Sequence, residues 1–408
     1  MKTFLRLLLL ALLVCAVAAA CITLIPTTSP DPLPAPKAEN TAAAVTPEAS
    51  SAPEVSPEPS PEATPELSTE EKALAILQSM TPEQKAWQMM YVFPQDVSGQ
   101  FLCTDPEVWA DSVNLRPAGG IVVSYENMDS ARQVKDMLAC IKSAAALTPF
   151  LGVDEEGGVV ERLAYAIPEA LSLKPMFTYR ELGEDGARSN AKAIAEDIAS
   201  FGFNQDFAPV ADVWTNPENT VIGKRAYSDE PEECARLVSA AVEGFAQGGV
   251  ISTLKHFPGH GDTAEDSHYS TAVSHRTLDE LASCELLPFI AGMDSGAGMI
   301  MTGHISLPEL DSQRPATLSP AIVDGLLRGD LGWDGVVITD SFAMAAISGE
   351  YGVCEAAVMA VEAGCDMILG ADRPEEVVAA LLEKIAPERI DQSVLRILTL
   401  KINAGIIR

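Results

Sequence analysis

The chain has 408 residues, a length that fits more than one ordinary domain or a single α/β barrel carrying a tail. Hydrophobic residues make up 47% of it, enough for a large core, which excludes a wholly disordered protein. A formal charge of −31 repels phosphate backbones and anionic lipid, and so argues against nucleic acid as a partner and against electrostatic docking on a membrane.

The first element is a targeting segment. Lys2 and Arg6 form a basic start, and Leu7–Ala20 is an uninterrupted apolar run of 14 residues. The run ends in Ala18, Ala19, Ala20 and Cys21, small residues before a cysteine that resemble the lipobox of bacterial lipoproteins. Cys21 is therefore expected to carry lipid after cleavage. Two alternatives stay open: plain cleavage within the alanines, or an uncleaved anchor, since apolar character continues to Ile25. All three export the protein, and the first places it at the cell surface as a membrane-anchored lipoprotein.

Residues 22–68 read as a disordered linker. Eleven prolines lie between Pro26 and Pro65, with a Pro-Glu step at positions 47, 53, 57, 61 and 65 and no aromatic residue. Proline fixes φ and lacks a donor, so neither helix nor sheet ladder forms there, and the stretch is expected to act as a solvated stalk.

The globular part, residues 69–408, opens on two capping boxes, Ser68 with Glu71 and Thr81 with Gln84, the second with proline at the first helical position. Short β-branched runs then alternate with helical patterns such as Asn190–Phe201 and Pro231–Gln247. The runs begin at Gly120, Phe150, Phe203, Val250, Gly298, Gly335 and Asp366, and their apolar continuity indicates buried parallel strands in βα units. Four of them end in ionisable residues: Asp154, Lys255 with His256, His304, and Asp340. Enzymes of the TIM-type (β/α)8 barrel build their sites on the C-terminal rim of the strands, so the expected fold is a single α/β barrel. His304, at such an end, is expected to line the pocket. Cys284, Cys354 and Cys365 fall in helical patterns and read as small core residues. With no CxxC among the eight cysteines, neither a disulfide scaffold nor a zinc ribbon is indicated.

The densest chemistry is KHFPGHGDTAEDSHYS, residues 255–270, which holds three of the five histidines. Glycines and proline preclude a regular helix after His256, so a loop leaves the strand there. As a metal site, His256 and His260 are poorly arranged, because Pro258 and Gly259 lie between them, so no metal is assigned. Ser267 beside His268 lacks the GxSxG turn of a serine hydrolase. Asp266, two residues before His268, is placed to orient the imidazole and raise its pKa, making a proton shuttle.

These residues resemble glycoside hydrolase family 3, in its β-N-acetylglucosaminidase branch. The similarity runs from about Leu74 to the end. It takes in Gly119–Val123, DEEGGVVERL at 154–163 (commonly DQEGGRVQRL), Asn204–Val213, Val221–Ser228, the histidine loop, Val337–Met344 and the closing segment from Arg389. The resemblance implies a retaining mechanism with Asp340 as nucleophile and His268 as acid/base oriented by Asp266. Asp154, Arg162, Arg225, Lys255 and His256 would grip an N-acetyl sugar, with no cofactor. The implied activity is exo-removal of terminal N-acetylglucosamine from cell-wall fragments or related glycosides, by a monomer. Glu155, Val159 and Glu161 depart from the pattern, and the added negative charge is expected to bear on the site's preference. His260 is left between loop-ordering and sugar contact, and His275 reads as a surface residue. Only 68 residues follow Asp340, so no second α/β domain is expected. Rival readings are a family 3 glycosidase or phosphorylase of other specificity, and a non-catalytic wall-binding lipoprotein. Asp340, Asp266 and His268 argue against the last.

Overall fold

The computed structural model describes residues 67–263 and 272–407. The targeting segment, Cys21 and the proline-rich stretch, together with Asp266 and His268, lie outside the described residues.

Both capping boxes form. Ser68 and Glu71 exchange side-chain and backbone hydrogen bonds at the start of the helix Thr69–Ser79, and Thr81 and Gln84 do the same for Pro82–Gln88. The chain then lays down parallel strands β1 (Met90–Val92), β2 (Gly120–Val122) and β3 (Phe150–Val153). A hairpin of β4 (Glu155–Gly157) and β5 (Val160–Glu161) follows, and then β6 (Gln205–Asp206). Strand β7 (Thr253–Phe257) precedes the short β8 (Ala272–Val273). Next come β9 (Met299–Thr302), β10 (Ile305–Leu307) and β11 (Asp311–Pro315). The last two are β12 (Val336–Thr339) and β13 (Ile368–Leu369).

One sheet runs β13-β1-β2-β3-β6 and another β12-β9-β7, every pairing parallel. Isolated parallel bridges join Gln205 of β6 to Ile251, just before β7, and Ile338 of β12 to Met367, just before β13. Each of these strands thus has a neighbour on both sides. All of β1, β2, β3, β7, β9 and β12 is buried, as parallel strands covered by helices are.

Helices separate the strands. Pro231–Gln247 has proline in its first turn with Glu232 and Glu233, favourable at the positive helix end, and buries Cys234, Leu237, Val238, Ala241 and Phe245 along one stripe. It packs on Gly183–Phe201, and the contact is close. A Cβ on Gly244 would fall 2.3 Å from the carbonyl oxygen of Arg188, so only glycine fits. The expected helix at Asn190–Phe201 is the second half of Gly183–Phe201.

Polar side chains thread the interior between strands. The Tyr91 hydroxyl donates to Gln205 Oε1 at 2.7 Å, and Gln205 Nε2 donates to Thr253 Oγ1 at 2.7 Å, linking β1, β6 and β7. Two expectations need correction. The run expected from Val250 to His256 forms β7 only from Thr253 and extends to Phe257, so Lys255 and His256 stand near its C-terminal end as read but one residue short of it. Of the cysteines, Cys354 is helical and partly buried, whereas Cys284 and Cys365 are buried just past helix ends.

Candidate active site

Asp154, Arg162, Arg225, Lys255, His256 and Asp340 line one cavity of about 400 Å³. Residues drawn from positions 154 to 340 thus meet at a single concave site, of the size that takes a small ligand.

The β4–β5 hairpin builds one wall. Gly157 and Gly158 take φ of +90° and +75°, the left-handed turn that a tight hairpin needs. Alternation along β4 sends Glu155 and Glu156 to opposite sides. Glu156 is fully buried and faces the cavity, where Arg225 grips it in a fork, Nε to Oε2 at 2.8 Å and Nη2 to Oε1 at 2.9 Å. Lys255 Nζ sits 2.7 Å from both Glu156 Oε1 and Asp154 Oδ1. Burial pushes the Glu156 carboxyl up, but Arg225 and Lys255 overcome it and bring it down to about 2. Burial likewise pulls the Lys255 ammonium down, and Asp154 with Glu156 more than restores it. Two anions and two cations balance here. Each charge is paid for locally, as a buried ion cluster requires.

Asp340 stands one residue beyond β12, half-buried. Its Oδ1 accepts from the Ser341 N–H at 2.7 Å, and among the described residues no hydrogen bond reaches Oδ2. Burial pushes its carboxyl up, but His256, His304, the Ser341 N–H and Lys255 outweigh that and hold it below the usual carboxylate range. That direction makes Asp340 an ionised carboxylate at neutral pH. Arg162 also lines the cavity, half-buried, and no described carboxylate pairs with its guanidinium.

His256 is set by Asp212, whose Oδ2 lies 2.8 Å from Nδ1. That contact assigns the proton to Nδ1 and leaves Nε2 for the cavity. Asp212 Oδ1 also accepts the backbone N–H groups of His256, at 3.2 Å, and His260, at 2.7 Å. His260 lines the cavity, and it ties the loop through Thr263 Oγ1, 2.8 Å from Nδ1, which accords with the loop-ordering reading. Burial and the charge of His256 pull its pKa down.

His304 departs from expectation. It is fully buried and does not line the cavity; Nδ1 lies 3.0 Å from Thr317 Oγ1, and Nε2 lies 3.1 Å from the carbonyl oxygen of Ser341. It supports the Asp340 segment from behind. Glu155 and Glu161 also turn out to be structural. Glu155 accepts from the N–H groups of Leu163 and Ala164 at the start of the helix Arg162–Ala166, and Glu161 holds Ser172 and Leu173. Neither lines the cavity, and Val159 stands on the exposed hairpin tip.

Glu156 and Asp212 are the site residues that sequence reasoning passed over. A signal existed for each: Glu156 follows Asp154 by two positions, and Asp212 interrupts the apolar run Phe207–Val213. A charge in such a run needs a buried partner. Among the described residues no three His, Cys, Asp or Glu side chains gather as a metal-ligand group.

Residues 84–400 match the family model of the glycosyl hydrolase family 3 N-terminal domain. A β-hexosaminidase of Stenotrophomonas maltophilia (strain R551-3) is 37% identical over 254 residues, 61% of this chain and 75% of the relative. The structure of a family 3 β-N-acetylglucosaminidase from a Paenibacillus species superposes with a TM-score of 0.75 and 36% identity, over 80% of this chain and 63% of that one. A β-N-acetylhexosaminidase structure from Beutenbergia cavernae gives a TM-score of 0.69 at 26% identity, over 80% of this chain and 99% of that one. The chain belongs to glycosyl hydrolase family 3 and is a glycoside hydrolase.

Proposed function

We propose that this glycoside hydrolase is a retaining, exo-acting β-N-acetylhexosaminidase that removes terminal N-acetylglucosamine from cell-wall fragments or related glycosides. The observation that carries the reading is the ionised, half-buried Asp340 in the same cavity as the balanced cluster of Asp154, Lys255, Glu156 and Arg225. The names of the similar proteins support the substrate class.

In this mechanism Asp340 Oδ2 attacks the anomeric carbon, and the leaving oxygen takes a proton from His268, which Asp266 orients. His268 then takes a proton from water as the glycosyl–Asp340 ester is hydrolysed. Lys255, Asp154 and Arg162 bind sugar hydroxyls. Arg225 uses Nε and one Nη2 hydrogen on Glu156 and one Nη1 hydrogen on the carbonyl oxygen of Val221, which leaves two of its five N–H donors for the sugar. The oxocarbenium-like centre is stabilised by the carboxylate beneath it. We read the eight parallel strands as a (β/α)8 barrel, a reading supported by the pairings that give each strand two neighbours. In such a barrel the site lies on the C-terminal rim. We also propose export as a lipoprotein anchored at Cys21, with the proline-rich stretch as spacer. Its support is the sequence pattern, and its test is fatty-acid labelling of the full chain, lost in Cys21→Ala.

The activity is tested with aryl N-acetyl-β-D-glucosaminides. Wild-type chain hydrolyses them with retained configuration, and Asp340→Ala loses at least about three decades of turnover. Release of sugar 1-phosphate in place of free sugar in phosphate buffer would replace hydrolase with phosphorylase.

A further inference from the structure

Among the described residues, the aromatic side chains that stand exposed are Phe101, Tyr125 and Tyr165, at 54%, 44% and 81%. All three lie in segments that leave the C-terminal ends of neighbouring strands. Phe101 follows β1 and the short helix Pro94–Ser98, Tyr125 lies three residues past β2, and Tyr165 is on the helix Arg162–Ala166 beyond β3 and its hairpin. They share the end of the sheet that carries Asp154.

Two of the rings touch. Tyr125 and Tyr165 meet edge to face, centroids 5.9 Å apart at 74°, and among the described residues no hydrogen bond reaches either hydroxyl. The pair is joined to the cavity by chain connectivity. Val160 and Arg162 line the cavity, and Tyr165 follows Arg162 by three positions, on the same side of one helical turn. That turn is held firmly: Glu155 caps it, and the Arg162 N–H donates to the carbonyl oxygen of Asp154 at 3.1 Å. Tyr165 is thereby fixed relative to Asp154, a residue of the cavity wall.

We propose that Tyr165, the more exposed ring, braced edge to face by Tyr125, forms a stacking platform for the pyranose ring on the leaving-group side of the cleaved bond, and that this pyranose is uncharged. A pyranose presents a face of C–H groups that packs on an aromatic face, while its hydroxyls need acceptors at the edge. Glu126 and Asp129, both exposed beside Tyr125, supply such acceptors and repel an anionic ring. The platform therefore narrows the proposed substrate range from cell-wall fragments toward the related glycosides, favouring chito-oligosaccharides over glycans whose second sugar carries a carboxylate. This rests on the hexosaminidase reading of the cavity.

The test compares kcat/KM for triacetylchitotriose with that for methyl N-acetyl-β-D-glucosaminide, which has no second ring. The ratio falls about tenfold in Tyr165→Ala and in Tyr125→Ala, through KM on the trisaccharide, and stays within about twofold in Tyr165→Phe, which keeps the ring. An unchanged ratio in both alanine variants, or an equal loss on both substrates, overturns the platform. Should the wild-type chain hydrolyse neither substrate, the hexosaminidase reading fails, and calorimetric titration with triacetylchitotriose decides the platform by itself. Binding that weakens in Tyr165→Ala upholds it; no binding to wild type, or equal binding to both, overturns it.

Discussion

Asp212 holds His256 by ring and backbone together: Oδ2 lies 2.8 Å from Nδ1 while Oδ1 accepts the His256 N–H at 3.2 Å. The same carboxylate reaches the N–H of His260, so one fully buried anion orders the whole turn that follows β7. Asp212 touches no ligand position itself. It acts on the cavity through the two histidines.

Replacing Asp212 by Asn keeps the shape but removes the charge and one of the two accepting atoms. A charge-assisted hydrogen bond contributes roughly 1.5–3 kcal/mol, so kcat/KM on an aryl glycoside is expected to fall about tenfold to a hundredfold. Asp212→Ala, which orphans buried donors, adds a drop in Tm of several degrees. Steady-state kinetics with thermal melts separate the two; wild-type kinetics in Asp212→Asn would remove Asp212 from the site's support.

Glu155 offers a pH-dependent test of stability. Burial raises its carboxyl to about 8, against which the N–H groups of Leu163 and Ala164 pull only in part. In the unfolded chain the same group titrates near 4.5, so between those values the folded state holds the extra proton. Stability is therefore fully present below about pH 4.5 and is lost as pH rises toward 8. Glu155→Gln, uncharged throughout, is expected to stabilise the protein by about 1–3 kcal/mol at pH 7, with the gain vanishing below pH 4.5. Denaturant titrations across that range check it, and a gain independent of pH would contradict the assignment.

Lys401 gives the opposite profile. It is fully buried in the closing helix Pro387–Asn403, its Nζ donating to Gln88 Oε1 at 2.8 Å and lying 5.0 Å from the centre of the Phe150 ring. Burial lowers its pKa from 10.5 to about 7. The unfolded chain therefore binds the extra proton between pH 7 and 10.5, and stability rises with pH through that window. Lys401→Met is expected to raise Tm by several degrees at pH 6, with little difference left at pH 10. Calorimetric scans at both values decide it.

Much of this was legible in the sequence where the cause is local. Both capping boxes formed, because such reciprocal bonds need only residues three apart. The helix Pro231–Gln247 begins and ends where its proline and glycines place it. Strand β1 escaped, since Met90–Val92 follows a helix and leads into another without a β-branched run. What makes it a strand is pairing with Gly120 and Ile368, far along the chain. His304 misled for a related reason: its position past β9 suggested the rim, but the hydroxyl of Thr317 and the carbonyl of Ser341 draw it under the wall. The place of Asp340 in the cavity was readable because it ends one of four apolar runs that stop in ionisable residues, whereas Glu156 and Asp212 are intelligible only beside partners that folding brings to them.

The placing of β1 between β2 and β13 has a bearing on synthesis. On a ribosome, residues 90–92 emerge long before their partner at Ile368, and Gln88 waits 313 residues for Lys401. Until then one flank of this strand is an open edge, which invites pairing with other chains. A product cut short before Ile368 is therefore expected to aggregate, whereas a chain that includes β13 covers that flank.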